Sequence, residues 1–167
     1  YNQIENDFPY TFMGLEPGKT KADVRRYLAD WNTGDNGILF LSRAFRLQPG
    51  TGWQINPGIL HAPGSLVTYE PQVNSDVFAM FQSEVDGRII DRSLLRKDVP
   101  ADRHHDLDYI IGMLDWDANV NPEFAGTNRV FPTPVRPIGE TEPDGYREQW
   151  ICYGTRYYSA KDLTVLP

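Results

Sequence analysis

Short runs in which apolar and polar side chains alternate make up much of this chain, and a period of two is the pattern of half-buried strands. Residues 1–15 read as a strand, a turn at Asp7-Phe8-Pro9 and a second strand, Tyr10-Thr11-Phe12-Met13. A strand that begins at the first residue suggests that its partners lie upstream in a longer protein. Residues 43–48 alternate with Phe45 and Leu47 inward, and Trp53-Gln54-Ile55, 66–70 and 77–85 read as further strands. Turns at Pro49-Gly50-Thr51-Gly52 and Asp86-Gly87 separate them. Residues 149–153 and 157–165 resume the alternation near the end.

Two stretches break this period. Thr20-Lys21-Ala22-Asp23 has the form of a capping box, and Val24, Leu28 and Trp31 follow at helical spacing, which predicts about three turns of helix. Asp106 is placed to cap a second helix with Tyr109, Ile110, Met113 and Leu114 on its apolar face, stopped by Asn121-Pro122. Residues 130–142 are spaced by prolines like an extended linker. The expected plan is a β-block over 1–90, a helical and proline-rich connector over 91–144, and the first strands of a second β-domain over 145–167.

Composition supports a β-rich globular reading. Apolar residues are 40% and aromatics 13% of 167 residues, and 13 prolines and 14 glycines fall between the apolar runs. The net charge of −7 argues against nucleic acid, which needs clustered Lys and Arg. No apolar run approaches the roughly 20 residues of a membrane helix. Cys152 is the single cysteine, so no internal disulfide can form, which fits a reducing, cytoplasmic setting. No signal peptide is visible, but the chain starts at Tyr1 rather than Met.

The sharpest candidate chemistry is Gly52-Trp-Gln-Ile-Asn-Pro57-Gly58-Ile-Leu-His61-Ala62. Glycine and proline form a tight turn, and the strand after it presents an imidazole, a common ligand of zinc, iron, nickel or manganese. The competing reading makes His61 a packing residue. The spacing Gly-x4-Pro-Gly-x2-His-Ala resembles the second conserved motif of cupins, one residue shorter than its usual form. The wider stretch, roughly 8–85, is similar to type I phosphomannose isomerases and their bacterial relatives. In that family the histidine binds metal, and an acidic residue and a Ser-Asp pair follow, at positions that match Glu70 and Ser75-Asp76 here. Phe12-Met13-Gly14-Leu15-x-Pro17-Gly18 is similar to the family's exit from its first motif. The first motif itself is absent, no histidine precedes His61, and residues 77–82 lack the arginine that the family carries after Ser-Asp.

The resemblance implies an all-β fold, a cupin-like double-stranded β-helix (jelly-roll) barrel with two short helices, in a two-cupin protein. It implies a metal-dependent sugar or sugar-phosphate isomerase, with His61 as a ligand of a divalent transition metal, zinc first. Glu70 would be a second ligand or base. Trp53 and Tyr69 would shape the sugar pocket, unless they are core. Lys19, with Lys21, sits beside a helix start where an anion such as phosphate could dock, unless it is solvated surface charge. The alternatives are a non-catalytic cupin that binds a sugar or small metabolite, and a purely structural, assembly barrel. A homodimer, or association with the rest of a parent protein, is expected because a barrel lacking strands has open edges. His104-His105-Asp106-x-Asp108 is read as a capped helix start rather than a metal cluster, and Cys152 as an inert thiol.

Overall fold

The computed structural model describes residues 9–29, 31, 33–64 and 67–167; the strand expected over the first residues lies outside that set. β1 (Tyr10–Leu15) is the middle strand of a three-stranded antiparallel sheet. It lies between β2 (Ser42–Arg46) and β4 (His61–Ala62). The ladder between β1 and β2 shifts register between Met13 and Leu15. There Gly14 takes φ +64, a left-handed conformation that glycine adopts without a Cβ penalty. A side chain would not fit in any case, because a Cβ would lie 2.8 Å from the Asn119 carbonyl oxygen.

The capping box forms as the sequence predicts. The Thr20 amide donates to the Asp23 carboxylate at 2.9 Å, and the Asp23 amide donates back to the Thr20 hydroxyl at 3.3 Å. α1 (Lys21–Ala29) follows, with Val24 and Leu28 buried on one face. That face belongs to a core with Leu15, Trp31, Ile38, Leu41, Phe81, Leu95, Val99, Ile110 and Ile111. The second helix, α2 (Leu107–Gly112), is shorter than its pattern predicts and turned differently. Ile110 and Ile111 are buried while Tyr109 and Met113 face solvent, because the buried stripe is the one that meets α1. α3 (Trp116–Asn119) and α4 (Phe124–Asn128) continue the connector. Phe124 enters a second, smaller core with Met13 and Ile59.

The remaining strands are small. β3 (Gly52–Trp53) pairs with β7 (Arg129–Val130), and β5 (Glu84–Val85) forms a hairpin with β6 (Arg88–Ile89). α5 (Ile138–Thr141) lies in the stretch expected as linker. β8 (Thr133–Pro134), β9 (Tyr146–Cys152) and β10 (Ala160–Val165) form the last sheet, in the order β10-β9-β8.

This corrects the expected fold class. The chain is not an all-β jelly-roll barrel: among the described residues about 27% is helix and 23% strand, in small separate sheets, none of them closed. The reason is physical. A jelly roll closes two Greek keys of long strands. Here six of the ten strands among the described residues are two residues long, and helices supply much of the apolar surface that opposing strands would bring. Residues 67–70 and 77–83, expected as strands, enter no ladder among the described residues.

Candidate functional site

The segment that ends at His61 is held from across the molecule. Gly58 takes φ +83 in the turn Pro57-Gly58. Asn119, wholly buried at the end of α3, then clamps both sides of Ile59. Its Nδ2 donates to the Gly58 carbonyl at 2.7 Å, and its Oδ1 accepts from the Leu60 amide at 2.9 Å. The Asp115 amide also donates to Gly58 at 3.1 Å, and the Gly14 amide to Leu60 at 2.8 Å. A buried amide that uses both ends in this way fixes a loop, since either unpaired end would be costly. Sequence reasoning missed Asn119. The available signal was an asparagine at the position of the α3 helix that follows two residues after Asp117, between the apolar Ala118 and Val120.

His61 emerges from this clamp opposite Met13, with its side chain exposed. Nδ1 lies 3.0 Å from the Ile59 carbonyl. A carbonyl only accepts, so Nδ1 is the donor in this bond. A metal-ligating histidine is oriented in the same way when its other ring nitrogen donates to a backbone carbonyl.

Trp53 sits on the neighbouring face, half-buried. Its ring centroid lies 4.8 Å from Phe45 and 6.3 Å from Phe124, and the Arg129 guanidinium is 5.7 Å from its centre. Arg43 lies 4.9 Å from the Phe124 ring and donates to the Asn119 and Asn121 carbonyls. Burial holds the Arg43 pKa below its ordinary value. Arg43 Nε, Trp53 Nε1 and Arg129 Nε are buried with no acceptor among the described residues.

Tyr69 and Glu70 lie on an exposed stretch without regular structure, and Tyr69 is 75% exposed. Lys19 is half-buried in the turn before α1, where its amide donates to the Glu16 carbonyl at 3.2 Å. Lys21 lies 5.7 Å from the centre of the Trp116 ring. Among the described residues no hydrogen bond, ion pair or ring contact joins His61, Glu70, Tyr69, Trp53 and Lys19 to one another. Nor do three His, Cys, Asp or Glu side chains converge there in a group that could hold a metal. One imidazole is a fraction of the three or four protein donors of a stable metal centre, so these residues do not fit a complete one.

The His104–Asp108 stretch is occupied by structural work. Asp106 accepts from the Tyr109 amide at 2.9 Å and from Arg103 at 3.1 Å, and those bonds hold its carboxyl below the usual range. His104 bonds the Val99 carbonyl, and Asp108 pairs with Arg25 of α1. Cys152 is a half-buried free thiol in β9.

A different feature stands out between His61 and the second core segment. Val67, Tyr69, Pro71 and Val73 alternate with Thr68, Glu70, Gln72 and Asn74, the pattern of a strand with one apolar face. The stretch is exposed, and among the described residues the backbone of 67–72 makes no hydrogen bond. The chain beyond is tied down: Asp76 pairs with Lys97 at 3.2 Å, the Phe78 amide donates to Asp98 at 3.0 Å, and the Met80 amide to Leu94 at 3.1 Å. Ser75-Asp76, the pair matched by the resemblance, borders a shallow open depression walled by Gln72, Val73 and Asn74.

No helix among the described residues is long and apolar enough to cross a membrane. No family model, no curated protein and no solved structure matches this chain.

Proposed function

We propose that this chain is an assembly unit whose open strand edges take up strands from another polypeptide. The observation that carries the reading is the stretch 67–73, which has the side-chain alternation of a strand, Val67 and Tyr69 in solvent, and no backbone hydrogen bond over 67–72 among the described residues. Unpaired strand-like backbone is a template for strand addition. The single cysteine suits a cytoplasmic setting for such a unit. Hydrogen exchange on the dilute protein tests the reading. Amides 68, 70 and 72 should exchange at the rate of an unstructured chain while α1 stays protected. Protection of those amides in the monomer would mean that the edge is already filled, and the reading would fall.

A metal-dependent sugar isomerase is the rival proposal, and one observation favours it: the Ile59 carbonyl orients the ring of an exposed His61 through Nδ1. It requires further donors beside His61. Elemental analysis of the protein and of His61→Ala separates the two, since only the rival predicts bound metal that disappears with the imidazole.

A further inference from the structure

The stretch 67–73 has two edges of unequal value. Once it is taken up as a strand, backbone groups of Val67, Tyr69, Pro71 and Val73 point one way and those of Thr68, Glu70 and Gln72 the other. Pro71 has no N–H, so only the edge of Thr68, Glu70 and Gln72 offers an unbroken row of donors.

A second open edge exists on the same chain. β10 is the outer strand of its sheet, paired on one side with β9. The Leu166 amide donates to the Gly145 carbonyl at 2.8 Å, and Val165 stands opposite Tyr146. Antiparallel pairs alternate, so Leu166, Thr164 and Asp162 point their backbone groups at β9, and Lys161, Leu163 and Val165 point theirs outward. The outward strand exposes two apolar side chains, Leu163 at 61% and Val165 at 75%. It contains no proline, and Lys161 and Asp162 cancel in charge.

When the usable edge of 67–73 is laid antiparallel against the outward edge of β10, charge selects one register. Glu70 then faces Lys161, Thr68 faces Leu163, Tyr69 faces Asp162 and Val67 faces Thr164, with no like charges opposed. A shift of two residues one way sets Glu70 against Leu163 and the other way against Ser159, and either loses the pairing of Glu70 with Lys161. Each copy carries both edges, so a two-fold pair satisfies four open edges with one contact used twice.

Resting on the assembly reading above, we propose that the partner is a second copy of this chain: residues 67–73 of one protomer add to the outer edge of β10 of the other, with Glu70 opposite Lys161. Sedimentation equilibrium of the full chain, with hydrogen exchange at the same concentrations, tests it. A dimer should form, and amides 68, 70 and 72 should become protected as it does. Glu70→Lys and Lys161→Glu should each weaken it by about three- to tenfold, and the double reversal should restore most of that loss. The rescue separates the contact from the bond that Lys161 makes to Glu148 within one chain, which Glu70→Lys cannot repair. Circular dichroism checks that each variant stays folded. A monomer at every concentration overturns the inference, as does a dimer indifferent to both reversals or an open-ended polymer. A monomer whose 68–72 amides exchange freely removes only the second copy as partner, whereas a monomer with those amides protected removes the assembly reading as well.

Discussion

Asn119 and Leu60 are 59 residues apart in sequence, and the Asn119 side-chain oxygen accepts the Leu60 amide at 2.9 Å in the interior. Through this bond, and its counterpart to Gly58, the α3 helix end decides where the backbone stands just before His61. The same Asn119 supplies its own carbonyl to Arg43, so one residue ties β2, α3 and the loop before β4 together.

Replacing Asn119 with Ala leaves the Leu60 amide and a lone pair of the Gly58 carbonyl buried without this partner. A loss of about 3 kcal/mol is expected, the range for an unsatisfied buried network. Urea unfolding followed by circular dichroism checks it, and a loss below about 1 kcal/mol would mean that the loop finds another anchor.

Gly58→Ala tests the backbone of the same loop. At φ +83 any Cβ is strained, and here it would also lie 2.8 Å from the Asp115 amide nitrogen. A loss of about 2 kcal/mol is expected. Gly87→Ala is the control: its φ is +71 but nothing lies within 4 Å of the added Cβ. It should therefore lose less, and equal losses would assign the whole effect to φ.

Acid should weaken the fold through the helix caps. Asp23 is held below its usual pKa by the Thr20 hydroxyl and amide, Asp91 by the Ser93 amide and hydroxyl, and Asp106 by the Tyr109 amide and then Arg103. A carboxylate whose folded pKa is depressed stabilises the fold above its unfolded value and loses that effect as pH falls through the folded one. Urea midpoints should therefore be flat from pH 7 to about 5 and decline below about 4. Asp106→Asn keeps a capping oxygen without the charge, and it should flatten that decline.

Phe124 and Tyr69 separate core from surface among the aromatics. Phe124 is buried against Met13, Ile59, Phe45 and Trp53, so Phe124→Ala should cost about 3–5 kcal/mol. Tyr69→Ala in the dilute monomer should change stability by less than about 0.5 kcal/mol, because the ring is in solvent. A large loss at Tyr69 would show that the 67–73 stretch is packed within its own chain.

Much of the local structure was legible before any fold was known. The Thr20–Asp23 box, the buried Val24 and Leu28, the Asp106 cap and the Asp86-Gly87 turn are all set by groups within a few residues of one another. The α2 face was misread, with Met113 inward, because a six-residue helix satisfies several apolar stripes and only its neighbour selects one. Strand patterns misled in the opposite direction. Residues 67–70 carry a correct alternation, but a ladder needs a second strand, and alternation cannot say whether one is near.

The candidate site shows the same division. The Pro57-Gly58 turn and an imidazole soon after it were written in the local sequence, because φ preferences and turn chemistry are properties of adjacent residues. Two other features came only with tertiary structure: the Asn119 clamp, and the enclosure of Trp53 between Phe45, Phe124 and Arg129. Contacts between residues 50 or more positions apart depend on which apolar surfaces find each other. In this chain helices claimed the surfaces that a barrel would have given to strands.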